Sequence, residues 1–226
     1  MVREHLDRKI NTLRDEVLTL ESMVRKATLN AVKALIKKDV NASKKIYAND
    51  KKINSKRFEI ESECLITIAT QQPMATDLRI LASIIEVTTE LERMGDYAKG
   101  IAKINLMIGD KPLLKPMDNL IRMTEITVDM LKRAIKAFVE GDVRTARKIP
   151  DDDDKVDEIF NKIYIGLVEC MMKDKKSIDH ANHLQWAAHN IERMSDRVIN
   201  ICERTLFIAT GEMNELEESD DEWVLE

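Results

Sequence analysis

A seven-residue segment occurs twice in this chain, and its second copy begins one hundred positions after the first. The sequence ELERMGD at residues 90–96 returns as NIERMSD at residues 190–196, so both copies contain E-R-M-x-D. Residues 50–54 likewise match residues 153–157 at an offset of 103. Matches that keep their order at a nearly constant offset predict two copies of a single structural unit.

Helix-forming residues dominate the chain, which has only six glycines and four prolines among 226 residues. Apolar residues between Leu6 and Leu35 recur at steps of three and four, the period of an amphipathic helix. The sequence contains no run of alternating polar and apolar residues of the kind that predicts a strand. Because long helices joined by short turns pack antiparallel, we predict an all-α fold. It consists of six long helices in two tandem three-helix bundles related by a pseudo-twofold axis.

Capping and breaking residues place the ends of the first three helices. Asp39 is a good N-cap for the second helix, and the sequence QQP at residues 71–73 ends that helix. Thr76 or Asp77 can open the third helix, which ends at Gly109.

The second repeat has the same order of elements. We predict its helices at about residues 117–140, 142–173 and 177–209. Pro150 should produce a kink or a short break, with an aspartate from residues 151–154 recapping the helix. These four aspartates could instead form a cation site, although such runs are more often solvated helix starts. The predicted divisions are a first repeat at 1–110, a second at 111–210 and an acidic tail at 211–226.

The chain is acidic, with a net charge of −5, and the tail contains eight acidic residues and no basic one. This balance argues against a nucleic-acid partner. Three cysteines without a C-x-x-C pair are expected to be reduced. No signal peptide is recognised, and no segment approaches the ~18 apolar residues of a membrane helix. We therefore expect a soluble, cytoplasmic protein that meets membranes only through partners.

Each copy of E-R-M-x-D places a glutamate and an aspartate four residues apart on one helix face. The pairs are Glu92 with Asp96 and Glu192 with Asp196. Like charges at this spacing repel by roughly a few tenths of a kcal/mol. A cation reverses that sign, because hard oxygen ligands at this spacing can share a metal ion. The alternative is that each aspartate pairs with the arginine three residues before it, as is common on helix surfaces.

His189, Asn200 and Glu203 continue the line of the second pair and are candidate additional ligands. Carboxylate-rich ligation suits iron, manganese, magnesium or calcium better than a cysteine-type zinc site. We expect iron, with the other three metals or zinc as further options. The chain has no Gly-rich phosphate loop, and none of its four histidines follows a glutamate at three residues. We therefore predict no catalytic residues and no enzyme. A multinuclear metal-dependent hydrolase or oxidase on the same carboxylates is one alternative, and a bundle without metal is another.

Taken in order, several segments resemble the PhoU family of phosphate-transport regulators, over about residues 6–209. These segments are DKKIN at 50–54, QQP-x-A-x-DLR at 71–79, ELERMGD at 90–96, DKVD at 154–157, and IERMSDR at 191–197 followed by NICE at 200–203. Two positions depart from the family pattern, Ser195 where a glycine is usual and Gly100 where an asparagine is usual. The second departure removes a polar side chain beside the first site and predicts two unequal sites.

The resemblance implies two three-helix bundles and metal ions bound by Glu92, Asp96, Glu192 and Asp196. It also implies a metal-binding negative regulator of phosphate uptake and phosphate signalling. Its expected partners are the ATPase subunit of the phosphate ABC transporter and, where present, a phosphate-sensing histidine kinase, with a homodimer as a further assembly. An accessory protein of a different phosphate carrier is the alternative within the same resemblance.

Overall fold

The computed structural model describes residues 2–213 and 215–216, and these residues contain helices and no strand. The helices are α1 (Val2–Lys37), α2 (Val40–Gln71), α3 (Thr76–Ile108), α4 (Leu120–Glu140), the single-turn α5 (Val143–Ala146), α6 (Asp153–Lys173) and α7 (Ile178–Thr210). Helices α1, α2 and α3 pack together, as do α4, α6 and α7. The all-α prediction of two three-helix bundles is confirmed. Most of the predicted acidic tail, residues 214 and 217–226, lies outside the described residues.

The two bundles meet where α3 packs against α7. Arg79 Nε near the start of α3 donates to the carbonyl oxygen of Ile208 near the end of α7, at 3.2 Å. Further along, a Cβ atom on Gly100 would lie 3.1 Å from Asn190 Nδ2. Since residue numbers rise on α3 while they fall on α7, the helices are antiparallel. The two E-R-M-x-D segments therefore lie beside each other at the centre of the molecule.

The apolar residues of the repeated segment hold it in the core. Leu91 and Met94 of α3 are buried, as are Ile191 and Met194 of α7. Burial of side chains of this size stabilises a fold by about 1.5–3 kcal/mol each relative to exposure. The leucine or isoleucine and the methionine point inward at helical spacing, so the glutamate and aspartate of the same segment lie outside this buried stripe.

Helix ends follow the predicted capping residues with one exception. Asp39 caps α2, because its carboxylate accepts from the backbone N–H of Ala42 at 2.9 Å. Gln72 ends that helix in the left-handed region, at φ 47°. Helix α3 begins at Thr76 as predicted, but its cap is Ala75, at φ 49°, and no side chain accepts a capping hydrogen bond there. This cap could not be predicted from the sequence, because alanine rarely adopts a positive φ.

Pro150 breaks the predicted fifth helix into α5 and α6. A short 3₁₀ turn, Pro150–Asp152, joins them. The prediction that an aspartate recaps the chain after the break is wrong: Asp152 directly precedes α6 in helical conformation and makes no side-chain capping bond. Its carboxylate instead binds Arg133 of α4 and Lys155, the latter at 2.6 Å. Two cations therefore already neutralise this aspartate within the suggested cation site.

No helix in the described ranges is long and apolar enough to cross a membrane. The three cysteines, Cys64, Cys170 and Cys202, are free thiols on α2, α6 and α7. Burial raises the pKa of Cys64 and of Cys202 to about 12, so both stay protonated and unreactive at neutral pH.

Candidate metal centre

Glu92 and Asp96 lie on the side of α3 that faces α2, where they meet a third carboxylate. Asp50 of α2 is 5% exposed. Lys99 Nζ lies 2.7 Å from Asp50 Oδ2 and 3.5 Å from Asp96 Oδ1. The approach of the two helices is close, because a Cβ atom on Gly95 would lie 3.0 Å from the Ile53 side chain. We call Asp50, Glu92 and Asp96 the first cluster.

In the first cluster, Glu92 lies in a partly buried environment close to two other carboxylates. Burial raises the pKa of Glu92, and the negative charges of Asp96 and Asp50 add to the rise. The positive charges of Arg57 and Arg93 act in the opposite direction. The hydrogen bond to Asp50 raises the pKa of Lys99, so the ammonium stays charged. Lys99 therefore serves as the cation that the carboxylates of α2 and α3 share.

Two buried oxygens on α2, in and beside this cluster, lack a hydrogen-bond donor among the described residues. Asp50 Oδ1 and Asn54 Oδ1 are buried on α2 and accept no hydrogen bond from the described residues. An unsatisfied buried oxygen costs roughly 1–3 kcal/mol, and coordination of a cation can remove that cost. Oxygen donors of this kind are the ligands that iron, manganese, magnesium and calcium accept.

Glu192 and Asp196 occupy the corresponding side of α7, which faces α6. His189 Nδ1 lies 2.9 Å from Glu192 Oε2, and the His189 ring lies 6.0 Å from the ring of Phe160 on α6. At the positions of Asp50 and Asn54 in the first repeat, α6 carries Asp153 and Asp157. We call Glu192 and Asp196 the second cluster, with His189 as its neighbour.

The described residues contain no group of three or more histidine, cysteine, aspartate or glutamate side chains placed to hold a metal ion. In the first cluster, Lys99 lies between the carboxylates that a metal ion would join. In the second, the candidate ligand Glu203 accepts a hydrogen bond from the backbone N–H of Leu216 at 3.0 Å. Of the additional candidates on α7, His189 contacts Glu192. Asn200 lies on the same helix, four residues after Asp196.

The alternative pairing of each motif aspartate with its own arginine is not the arrangement seen in the first repeat. Arg93 Nη1 lies 3.8 Å from Glu90 Oε1, whereas Asp96 contacts Lys99. In the second repeat, the guanidinium of Arg193 lies over the ring of Tyr97, 5.1 Å from its centre. The motif arginines are thus directed toward the contact between α3 and α7.

The two departures from the family pattern have direct structural reasons. Gly100 faces the side-chain amide of Asn190, at the close approach of α3 and α7. Any larger side chain there would have to displace that amide. Ser195 is buried, and its hydroxyl donates to the carbonyl oxygen of Glu192 at 2.7 Å. The serine is tolerated because its only polar group is satisfied within its own helix.

Three residues in or beside the first cluster were not predicted from the sequence: Asp50, Asn54 and Lys99. A signal was present for two of them, since residues 50–54 and 153–157 recur with an acidic or amide residue at both ends. Lys99 gave no such signal, because its counterpart in the second repeat is Ile199.

Comparison with known proteins agrees with this architecture. The family profile described as the PhoU domain matches the chain twice, at residues 17–104 and 120–205. The chain belongs to the PhoU family. Each match contains one E-R-M-x-D segment, so the repeat read from the sequence is the PhoU domain itself.

PhoU relatives match over nearly the whole chain. A phosphate-specific transport system accessory protein PhoU homolog from Aquifex aeolicus is 31% identical over 208 residues, which is 92% of this chain and 94% of the relative. The Escherichia coli protein named phosphate-specific transport system accessory protein PhoU is 32% identical over 207 residues, 90% of this chain and 85% of that protein. These relatives are accessory proteins, and the prediction that the chain is not an enzyme is confirmed by its membership in this family.

Solved PhoU structures have the same fold. The crystal structure of the phosphate transport system regulatory protein PhoU from Streptococcus pneumoniae superposes with a TM-score of 0.86 at 30% identity, covering 92% of this chain and 99% of that one. PhoU from Pseudomonas aeruginosa gives 0.84 at 28% identity, covering 91% and 99%.

Proposed function

We propose that this protein is a metal-binding regulator of phosphate uptake and phosphate signalling in the cytoplasm. It acts as a negative regulator through the ATPase subunit of the phosphate ABC transporter and, where present, a phosphate-sensing histidine kinase. Support for the phosphate-transport role comes from the relatives, which are named as accessory proteins of the phosphate-specific transport system.

The observation that carries the metal-binding part is the recurrence of one carboxylate pair on two central helices. Glu92 with Asp96 and Glu192 with Asp196 hold equivalent places in the two repeats, and each pair lies beside a second helix with acidic residues. Two buried oxygens next to the first pair accept no hydrogen bond from the described residues. Carboxylates gathered at such places favour a cation over a simple surface role.

Metal ions bound there would supply positive charge that offsets the repulsion between the carboxylates. The chain's own part is to hold the ligands in place from two sides. Helices α3 and α7 present Glu92, Asp96, Glu192 and Asp196, and the neighbouring α2 and α6 present further oxygen donors. Iron is the expected metal, and the oxygen donors also suit manganese, magnesium and calcium.

A regulator of this kind would associate with the membrane only through its partner proteins. Two copies of the chain could also form a homodimer. Exposed apolar side chains on the outer face of α2, such as Phe58 and Ile66, offer contact area for a protein partner.

The regulatory role is tested by phosphate uptake in an Escherichia coli strain that lacks PhoU. Expression of the wild-type chain should lower labelled-phosphate uptake in phosphate-rich medium toward the level of the parent strain. The variant Glu92→Gln/Asp96→Asn/Glu192→Gln/Asp196→Asn, expressed to the same level, should lower it less. Binding of the transporter's ATPase subunit to the immobilised protein is measured in parallel. The proposal would be contradicted if neither the wild type nor the variant lowered phosphate uptake and the immobilised protein retained no ATPase subunit.

A further inference from the structure

We propose that the acidic C-terminal tail of one copy of this protein binds the outer face of α2 on a second copy, so that the chain associates with itself through its tail. This inference goes beyond the proposed regulatory function and does not depend on metal binding. It comes from two parts of the chain with opposite charge, the exposed lysines near the start of α2 and the acidic segment after α7.

Lysines form the outer face of the first half of α2. The four exposed lysines are Lys44, Lys45, Lys51 and Lys52. They make two pairs seven residues apart, which is about two helical turns, so all four side chains leave the helix on one side. Asp50 and Ile53, on the opposite side of the helix, are buried. We call these four lysines the lysine face.

The acidic residues beside the lysine face are engaged elsewhere. Asp39 caps α2, and Asp50 binds Lys99. Glu59 Oε2 lies 3.3 Å from Lys56 Nζ. No ion pair joins the lysine face to the part of the chain that the structure describes. Four like charges along about 12 Å of helix therefore repel one another, and an anionic partner would offset that repulsion.

The tail complements this face in both charge and apolar character. Residues 217–222 read EESDDE, with five acidic residues, and residues 223–225 read WVL. On α2, Phe58 lies two turns after Lys51, and Ile66 lies four turns after Lys52, so both share the outer side of the lysine face. Phe58 and Ile66 are 60% and 51% exposed. An acidic stretch that leads into apolar residues thus matches a basic stretch that leads into apolar residues.

The two stretches also match in length. From Lys44 to Phe58, α2 advances about 21 Å. From Glu217 to Trp223, an extended chain spans about 20 Å. The tail therefore fits along α2 in the direction of the helix, with its acidic residues over the lysine face and Trp223 against Phe58.

The tail leaves α7 on the side away from α2. After Gly211 the chain turns back, because the backbone N–H of Leu216 donates to Glu203 Oε1 at 3.0 Å. Glu203 lies three turns after Glu192 and shares its face, which is directed toward α6. Helix α3 packs on another side of α7, and α2 packs against α3 beyond it.

This placement puts the lysine face of the same copy out of reach of the tail. The contacts of Arg79 with Ile208 and of Lys99 with Asp50 set the levels of the helices. They place Glu203 about 20 Å from Lys52 along the helix axes. Two helix spacings and two helix radii add about 28 Å sideways, so the straight line is about 34 Å. Residues 217–222 reach only about 20 Å beyond Leu216, so the lysine face they bind belongs to a second copy.

The test is sedimentation velocity of full-length chains at low salt, with two charge-neutralised variants. The lysine-face variant is Lys44→Gln/Lys45→Gln/Lys51→Gln/Lys52→Gln. The tail variant is Glu217→Gln/Glu218→Gln/Asp220→Asn/Asp221→Asn/Glu222→Gln. The wild type should associate, and each variant alone should associate at least about tenfold more weakly. An equimolar mixture of the two variants should associate again, because one has the intact tail and the other the intact lysine face.

The matched control removes the same charge from exposed lysines of the second repeat. Lys132→Gln/Lys148→Gln/Lys175→Gln/Lys176→Gln should associate as the wild type does. Raising the salt concentration should weaken the association of the wild type, since salt screens exposed charges. Circular dichroism confirms that each variant is folded. As a second readout, a labelled peptide of residues 211–226 should bind the tail variant at least about tenfold more tightly than a chain with both sets of substitutions.

Three results would overturn the inference. The first is a wild type that does not associate, or association that persists in the lysine-face variant. The second is loss of association in both variants without recovery in their mixture. The third is binding of the wild type, but not of the lysine-face variant, to phosphatidylglycerol vesicles without self-association, which would assign this face to a membrane surface. The proposed control of phosphate uptake stands or falls separately, by the uptake assay.

Discussion

Arg197 Nη1 of α7 lies 3.5 Å from Glu90 Oε2 of α3, so an ion pair joins the two repeats beside their carboxylate motifs. Glu90 is buried, and Arg197 is mostly buried. The pair is thus shielded from water in a way that surface pairs are not, and loss of Glu90 leaves the Arg197 guanidinium without its carboxylate partner.

Glu90→Gln should therefore lower the free energy of unfolding by about 1–3 kcal/mol. Urea denaturation followed by circular dichroism measures the change. Arg122→Gln, at an exposed arginine of α4, is the control and should change stability by less than about 0.5 kcal/mol. Equal stability of Glu90→Gln and wild type would show that the pair across α3 and α7 contributes nothing.

Asn105 should be another sensitive position, because it fastens the turn between α1 and α2 to α3. Its side-chain amide is 0% exposed and donates to Ser43 Oγ at 2.8 Å and to the carbonyl oxygens of Ala34 and Asp39 at 3.2 Å each. Asn105→Ala removes these three hydrogen bonds from a fully buried site and should cost about 2 kcal/mol or more in thermal or urea unfolding.

The control for Asn105→Ala is Asn49→Ala, at an exposed position in α2. Alanine is the better helix former, so that change should be neutral or slightly stabilising. Similar effects of the two substitutions would contradict the anchoring role of Asn105.

Acid sensitivity should come in part from His180. Burial lowers the pKa of this histidine below its usual 6.5, with smaller contributions from Lys111 and His183. The unfolded chain therefore binds the proton more readily, and stability falls as pH decreases through 6.5. His180→Leu should flatten the pH dependence of the melting temperature between about pH 7 and about pH 5. His5→Gln, at an exposed histidine of α1, should leave that slope unchanged, and an equal slope in His180→Leu would count against this origin.

Metal bound by the motif carboxylates should stabilise the fold. A ligand present at ~100 times its Kd stabilises the folded state by about 2.7 kcal/mol. Saturating Mn²⁺ should therefore raise the melting temperature of the wild type by several degrees, as measured by calorimetry. Glu92→Gln/Asp96→Asn/Glu192→Gln/Asp196→Asn should show no such rise, and in chelator it should be at least as stable as the wild type because like-charge repulsion is reduced. A metal-induced rise that survives in this variant would place the bound metal elsewhere.

Much of the fold could be predicted from local sequence alone. The spacing of apolar residues predicted the helices, Asp39 predicted a helix cap, and Pro150 predicted a helix break. Each of these effects acts within one or two helical turns. Ala75 and Asp152 were not predictable in the same way. The first holds a positive φ that alanine rarely adopts, and the second binds Arg133 on another helix.

In the candidate site, too, features within one helix were predictable and contacts between helices were not. Glu92 and Asp96 could be found from their spacing and recurrence within one helix. Lys99 and Asp50 could not be joined from sequence, since their contact depends on how α2 and α3 align across 49 residues. Recurrence identifies residues that the two repeats share. Lys99 could not be found in this way, because Ile199 occupies its position in the second repeat.

Metal content is the measurement that tests the central claim most directly. Plasma mass spectrometry would be applied to the untagged wild type and to Glu92→Gln/Asp96→Asn/Glu192→Gln/Asp196→Asn, both as purified and after metal reconstitution. We predict bound metal in the wild type and its loss in the variant, with the helical circular dichroism of the variant retained. Equal metal in both proteins, or none in either after reconstitution, would contradict the account and leave the repeated carboxylates with a role in packing or partner contacts.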